Sequence, residues 1–163
     1  MFSCPEPPDV VQSNYSYGEQ LAISLEFQLK QQVEALKTKG IRPKLAVLVM
    51  ADDAAGQLYS RLKQAAAQRV GIELEKHEFS FQELKLIMQK IGDLNRDHQV
   101  QGIMIQHPGI NWGKKHQLNR RSFEMWWRQL AEVIAADKDV DGLRENSKFI
   151  PATVRAVELI LSI

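Results

Sequence analysis

Unbroken apolar stretches and amphipathic stretches alternate along this chain, and together they predict three strands separated by helices. The first predicted strand, Lys44 to Met50, contains six consecutive apolar residues, which is typical of a strand buried on both faces of a parallel sheet. The second, Ile72 to Phe79, begins with alternating apolar and acidic residues and is therefore expected to be half buried at a sheet edge. The third runs from Val100 to Ile105.

Between these strands, apolar residues recur every three or four positions, which predicts amphipathic helices. In the second helix, Leu58 and Leu62 are expected on the buried side. The polar segment from Gly109 to Arg121 is expected to be a loop, with Ser122 as the N-cap of the next helix. Strands that alternate with helices indicate parallel βαβ units and a three-layer αβα domain of the α/β class. The predicted helices are Gly18–Lys39, Gly56–Val70, one opened by the capping box Ser80–Glu83, Phe123–Ala136 and Pro151–Leu161.

Length and composition limit the domain count and the classes of partner. The 163 residues suffice for one domain, which we expect to span residues 18–163 behind an extended, proline-rich arm at residues 1–17. A net charge of +1 gives no reason to expect nucleic acid as a partner, and no apolar run approaches the ~20 residues that cross a membrane. Cys4 is the single cysteine, which excludes an internal disulfide. Together with the lack of a signal-peptide pattern, it favours a cytoplasmic protein.

A first candidate for chemistry follows the predicted first strand. Tyr59 and Lys63 are four residues apart and so share one face of the second helix. This helix starts at the carboxyl end of a parallel strand, where open α/β sheets bind their ligands. The pair could begin an active site. The alternative is a half-buried tyrosine beside a solvated lysine, and the spacing alone favours that alternative.

Other polar and aromatic residues give weaker signals. The spacing of His98, His107 and His116 fits no metal site, so we expect solvated loop histidines and no metal. His107 is the exception, because it adjoins Gln106 and could contact a ligand as a titratable neighbour. Two neighbouring helix residues point ~100° apart, so one of Trp126 and Trp127 is expected in the core. The other would be partly exposed, and this helix could mediate a homodimer or a partner contact.

Several short motifs resemble one enzyme family. The chain is similar to the N-terminal, folate-binding catalytic domain of the bifunctional methylenetetrahydrofolate dehydrogenase/cyclohydrolase (FolD) family, from about Gly18 to Leu161. No single motif would suffice, but together they occur in the family's order. The matching segments are Tyr59–Lys63 (Tyr-x-x-x-Lys), Leu94–Asp97, Val100–Pro108 (V-x-G-I-x-V-Q-L-P), Lys138–Gly142 (Lys-Asp-Val-Asp-Gly) and Pro151–Thr153.

The resemblance implies a function in one-carbon metabolism and a role for each matched residue. Lys63 would be the acid/base of the cyclohydrolase step, a hydrolase reaction that converts methenyl-tetrahydrofolate to formyl-tetrahydrofolate, and Gln106 would hold the lysine in place. Tyr59 would stack on the aminobenzoate ring, and Asp141 would bind the pterin. His107 and Pro108 would line the pocket. The substrate would be a tetrahydrofolate derivative, a small-molecule folate or pterin.

Departures from the family pattern leave alternatives open. None of the nine glycines forms the Gly-rich turn of a Rossmann domain, so this chain alone is not expected to bind NAD(P). The oxidoreductase (dehydrogenase) step would need that domain from elsewhere, whether the chain is a fragment of a longer protein or a natural stand-alone domain. Gly56 replaces a serine of the family, and Gly109 follows His107-Pro108 in a changed pocket lining. The alternatives are a non-catalytic folate- or pterin-binding or interaction module, or an enzyme for another pterin-like substrate.

Overall fold

The structure is a computed structural model and describes residues 17–162. The predicted N-terminal arm therefore lies outside the described residues, except for residue 17, which begins the first helix. In chain order the elements are α1 (Tyr17–Lys37), β1 (Lys44–Met50), α2 (Ala54–Val70), β2 (Glu73–Phe79), a 3₁₀ turn (Phe81–Glu83), α3 (Leu84–Arg96), β3 (Gly102–Ile105), α4 (Ile110–Lys115), α5 (Arg120–Ala131) and α6 (Ala152–Leu161).

The three strands form one parallel sheet in the order β2-β1-β3. The central strand is the apolar run: Leu45 pairs with Leu74 of β2 on one side and with Gly102 of β3 on the other. From Ala46 to Met50 every residue of β1 is completely buried. β2 is an edge strand and only partly buried, as its alternation predicts. The predicted parallel α/β sheet is confirmed.

Helices cover both faces of the sheet, which gives the predicted three layers. Because side chains of a strand alternate between faces, Leu48 and Met50 of β1 point to one side and Val47 and Val49 to the other. The first side packs in one cluster with residues of α3 and α5. On the second side α2 contacts β1 and β2, and α1 packs on α2. Among the helices in residues 17–162, none has the length and apolar character needed to cross a membrane.

The segment predicted as a loop contains a helix, and this prediction was wrong. α4 occupies residues 110–115, and α5 already begins at Arg120. The N-cap of α5 is Asn119, not Ser122: its Oδ1 accepts the backbone N–H of Ser122 at 2.9 Å. The indole of Trp112 is buried against the core, and this tertiary contact holds a helix of only six residues that includes Gly113 and gives little local signal.

Two details of side-chain burial also change. In α2, Leu58 and Leu62 are 48% and 57% exposed, so their predicted burial was wrong. The helix instead turns a stripe of small residues toward the sheet, which lets its backbone approach the strands closely; its buried members are Gly56, Ser60, Ala67 and Val70. In α5, Trp126 is in the core and Trp127 is partly exposed, as predicted. Of these two tryptophans, only Trp127 is accessible to a partner contact through this helix.

Candidate active site

Lys63 and Gln106 meet at the carboxyl edge of the sheet. Lys63 continues the small-residue stripe of α2, one turn after buried Ser60 and one turn before buried Ala67, and its side chain is half buried. Gln106 directly follows β3, and its backbone N–H donates to the carbonyl of Leu48 at 2.8 Å. Lys63 Nζ donates to Gln106 Oε1 at 2.5 Å. A neutral amide thus orients the amine without supplying a counter-charge.

Asp141 completes the group from a third segment. It lies in the turn after Asp139, whose buried carboxylate accepts the backbone N–H groups of Leu143 (2.8 Å) and Arg144 (3.0 Å) and so fixes the turn. Burial lowers the pKa of Lys63, and the negative charge of Asp141 opposes this shift. Burial also raises the pKa of Asp141, and the positive charge of Lys63 opposes this shift. Partial burial of the site therefore shifts the protonation equilibria of Lys63 and Asp141 toward their neutral forms.

The remaining predicted site residues lie around this group. Tyr59 is one turn before Lys63 on α2 and is 56% exposed, so its ring face is open to a ligand. Pro108 is buried, and its carbonyl accepts the Nδ1–H of His107 at 2.9 Å. The ring of His107 packs on Trp127 and Phe123 of α5, with centroid distances of 4.8 and 5.1 Å. His107 is therefore held by α5, and only its remaining face can meet a ligand.

Two carboxylates that the sequence pattern did not reveal stabilise this edge of the sheet. Asp53 is 4% exposed, and its Oδ2 accepts the backbone N–H of Gly109 at 3.2 Å. Asp52 accepts from the indole of Trp112 (2.6 Å) and from Lys115 Nζ (2.7 Å), and its Oδ2 lies 2.9 Å from His116 Nε2. The turn after β1 thus holds both the segment after Gln106 and α4. The sequence signal for this contact is Trp112 itself. A tryptophan in a polar segment needs a hydrogen-bond acceptor for its indole N–H once the ring is buried.

These contacts overturn the expectation for His116. Its ring is mostly buried, packs on Phe81 and Trp112, and adjoins Asp52, so it is not a solvated loop histidine. Burial acts to raise the pKa of Asp52, but hydrogen bonds from Lys115, Trp112 and His116 outweigh it and hold that pKa well below its ordinary value. Asp52 is therefore ionised over the whole working range of pH.

Gly56 leaves the space that the carboxylate of Asp53 needs. A methyl group on Gly56 would lie 2.5 Å from Asp53 Oδ2 and 3.4 Å from the Cγ of Gln106. A side chain here would therefore push Asp53 away from the N–H of Gly109 and crowd Gln106. The departure from the family's serine at this position is tied to the placement of Asp53 in this chain.

The first prediction tests this coupling by adding the methyl group. Gly56→Ala is expected to lower the free energy of unfolding by about 1–2 kcal/mol, because the part-buried hydrogen bond from the N–H of Gly109 to Asp53 is lost. The matched control is Gly92→Ala in α3, where the new methyl group meets nothing closer than Arg96 at 3.7 Å. Gly92→Ala is expected to raise the free energy of unfolding by about 0.5–1 kcal/mol. Urea denaturation measures both, and equal effects of the two changes would contradict the coupling.

The second prediction uses the shifted pKa of Lys63. Its folded-state pKa is below the ordinary 10.5, so the unfolded chain binds more protons between the two values. The free energy of unfolding of the wild type should therefore rise with pH between the folded-state pKa of Lys63 and 10.5. Lys63→Met removes the titration, so it is expected to raise the free energy of unfolding at pH 7, with a gain that shrinks toward pH 10.5. Denaturation at several pH values measures the gain. The control is Arg61→Met, at an exposed position of the same helix. If the gain in free energy of unfolding from Lys63→Met did not depend on pH, Lys63 would not be a buried amine with a lowered pKa.

The turns that follow β1 and β2 do not fit a dinucleotide. After β1 the turn carries Asp52 and Asp53 at the start of α2, where two carboxylates would repel a pyrophosphate. After β2 the Ser80 turn is closed by the side chain of Glu83, which accepts the backbone N–H of Ser80 at 2.6 Å. In residues 17–162 no group of three or more histidine, cysteine or acidic side chains is arranged to hold a metal ion. We therefore derive no step from a nucleotide or a metal at this site.

Comparison with known proteins decides the family. The family model described as the catalytic domain of tetrahydrofolate dehydrogenase/cyclohydrolase matches residues 17–141, a range that contains Lys63, Gln106 and Asp141. The chain belongs to this family. The resemblance drawn from the motifs is thereby confirmed.

Curated relatives carry the same family name over a longer chain. The bifunctional protein FolD of Bordetella bronchiseptica is 35% identical over 127 residues, which are 77% of this chain and 40% of that protein. The bifunctional protein FolD of Staphylococcus aureus is 33% identical over 155 residues, 88% of this chain and 50% of that protein. The chain thus spans half or less of the length of these relatives.

Solved structures of FolD family members share the fold. The bifunctional enzyme FolD of Campylobacter jejuni superposes with a TM-score of 0.74 at 27% identity, over 89% of this chain and 51% of that one. A 5,10-methylenetetrahydrofolate dehydrogenase of the silkworm Bombyx mori gives a TM-score of 0.72 at 28% identity, over 89% and 50%. In each case the present chain corresponds to about half of the larger protein.

Proposed function

We propose that this chain binds a tetrahydrofolate derivative and catalyses the cyclohydrolase step, with Lys63 as the acid/base. The observation that carries the proposal is the hydrogen bond of 2.5 Å between Lys63 Nζ and Gln106 Oε1 in a half-buried site that lowers the pKa of the lysine. A base for water near neutral pH must be an amine that releases its proton easily, and desolvation supplies this property. The cationic methenyl bridge would lower the pKa further.

The proposed hydrolysis is a balanced sequence of proton transfers. Water attacks the carbon that bridges N5 and N10 of methenyl-tetrahydrofolate, and Lys63 takes one proton from the water as the carbon–oxygen bond forms. The bond between this carbon and N5 then breaks, and Lys63 returns its proton to N5. The second proton of the water leaves to solvent, and the product is formyl-tetrahydrofolate. Gln106 keeps the amine aimed at the water in both steps.

The ligand would be held along α2 and the last turn. The aminobenzoate ring would stack on the exposed face of Tyr59, while Asp141 would accept N–H groups of the pterin in charge-assisted hydrogen bonds. Pro108 and the free face of His107 would form the wall beside Gln106. We further propose that residues 18–163 act as one domain, and that the dehydrogenase step requires a nucleotide-binding domain outside this chain.

A second candidate is a binding module without turnover. The changed lining supports it, since His107 is packed on α5 and Gly56 lacks the hydroxyl of the family's serine. Such a module would bind folate or pterin through Tyr59 and Asp141 and leave it unchanged.

One experiment separates these functions. Purified chain is mixed with methenyl-tetrahydrofolate monoglutamate, and the loss of its absorbance is followed above the buffer rate. Binding is measured in parallel by quenching of tryptophan fluorescence. Hydrolysis above the buffer rate is the expected result. Binding without such acceleration would leave only the binding module, and no binding at all would exclude both folate functions.

A further inference from the structure

Lys138 is a buried amine that the proposed hydrolysis does not use. The residue is 9% exposed, and its Nζ donates to the carbonyl oxygens of Leu94 (2.7 Å) and Asp97 (2.6 Å). Leu94 lies in the last turn of α3, and Asp97 directly follows the helix. The last carbonyls of a helix lack partners within the helix and form its negative end. The charge of Lys138 is therefore stabilised by the end of α3, and its amine is held by two hydrogen bonds.

The same end of α3 also holds the chain just before Lys138. Asn95 Nδ2 donates to the carbonyl of Val133 at 2.7 Å, and Asn95 Oδ1 accepts the backbone N–H of Ala135 at 2.9 Å. The matched motif at the end of α3 thus holds the segment that enters the motif Lys138–Gly142. Two motifs that are far apart in the sequence are therefore in direct contact.

Backbone contacts and close packing connect Lys138 to Asp141. The carbonyl of Lys138 accepts the N–H groups of Ile103 in β3 (2.8 Å) and of Val140 (2.9 Å). Val140 packs closely on β3, because a methyl group on Gly102 would lie 2.9 Å from a Cγ atom of Val140. Asp141 is the next residue, so its place relative to β3 depends on how Lys138 and Val140 are held.

We propose that Lys138 is a positioning residue for folate binding, which holds the carboxylate of Asp141 where the pterin meets it. The inference rests on the proposed function, since that function assigns the pterin to Asp141. Lys138 itself does not contact the ligand, because its amine is already bonded to Leu94 and Asp97. Hydrogen bonds weaken steeply when their angle falls below ~120°, so a carboxylate that accepts several N–H groups must be held in one orientation. A turn that the ligand itself had to order would lower the affinity.

The test is a double-variant cycle that combines Lys138→Met with Asp141→Asn. Dissociation constants for tetrahydrofolate are measured by quenching of tryptophan fluorescence in the wild type, both single variants and the double variant. Lys138→Met is expected to weaken binding by about 3- to 30-fold, because the turn is no longer anchored. In the Asp141→Asn background the same change should alter the constant by less than about 2-fold. A residue that merely stabilised the fold would weaken binding equally in both backgrounds.

A second variant and a control accompany the cycle. Asn95→Ala removes the hydrogen bonds to Val133 and Ala135 and should show the same dependence on Asp141 with a smaller effect. Its cycle decides by the same criteria if Lys138→Met does not fold. The control is Ile87→Val, at a completely buried position about two turns before the end of α3. It weakens the core without removing a hydrogen bond of Lys138 or Asn95, so its dissociation constant should equal that of the wild type.

Each outcome has a defined meaning. A loss of affinity in Lys138→Met that disappears in the Asp141→Asn background supports the positioning role. Wild-type affinity in Lys138→Met overturns that role and leaves the proposed function intact. An equal loss in both backgrounds, or an equal loss in Ile87→Val, also overturns it, because Lys138 would then act elsewhere or only through stability. If Asp141→Asn alone binds like the wild type, Asp141 does not hold the pterin and the positioning role fails. If the wild type does not bind tetrahydrofolate, the folate function fails as well.

Discussion

Replacing Lys63 by methionine is expected to slow hydrolysis of methenyl-tetrahydrofolate by about 100-fold or more. A positioned acid/base contributes about 10²–10⁴-fold to a rate, and methionine matches the unbranched shape of lysine without its proton. Ligand binding should be retained, because Tyr59 and Asp141 are unchanged. The measurement is the turnover rate at saturating ligand, together with the dissociation constant from tryptophan fluorescence.

The control for this variant lies on the same helix. Arg61 is exposed two residues before Lys63 and therefore on another face of α2, so Arg61→Met should keep wild-type turnover. If Lys63→Met retained more than about a tenth of the wild-type rate, Lys63 would not be the acid/base. A loss of binding in step with the rate would instead make Lys63 a binding residue.

Asp141→Asn is the second change with a large expected effect. A hydrogen bond to a charged group contributes about 1.5–3 kcal/mol, so loss of the carboxylate should weaken folate binding by about 10- to 150-fold. The asparagine keeps the shape and can still accept the N–H of Ala152 that reaches Asp141. The matched control is Asp137→Asn, an exposed aspartate four residues earlier. Titration with tetrahydrofolate measures both, and equal constants for the two variants would remove Asp141 from the pterin site.

The sequence predicts the centre of this fold well because the signals there are local and strong. The apolar run of β1 favours a strand buried on both faces, and the carboxyl ends of parallel strands meet at one edge. These two facts suffice to bring the helix with Lys63 near Gln106 at the end of β3. The motif resemblance then supplied the family, which the comparisons confirm.

Prediction from the sequence fails where contacts between distant segments determine the local structure. The contact of Asp52 with Trp112 joins residues 60 positions apart, and it holds α4, a helix of six residues with little propensity of its own. The face that α2 buries was also mispredicted. Apolar side chains at Leu58 and Leu62 suggested one face, but the small residues Gly56 and Ser60 allow the closer approach to the sheet.

The unpredicted helix α4 has a functional consequence. Without it the segment after Gln106 would border solvent. With it, Asp53 accepts the N–H of Gly109 and Asp52 accepts from Lys115, so both the segment after Gln106 and α4 are held in place. The element that is hardest to predict from the sequence therefore directly follows the segment that borders Gln106 in the candidate site.

The pH dependence of methenyl-tetrahydrofolate hydrolysis tests the central claim, that Lys63 acts as a half-buried base. Net of the buffer rate, wild-type turnover should rise with pH through an apparent pKa below 10.5, because only the neutral amine accepts a proton. In Asp141→Asn this limb should move to lower pH, since the charge that raises the lysine's pKa is gone. In Lys63→Met the limb should be missing. A limb that persists unchanged in Lys63→Met would contradict the account.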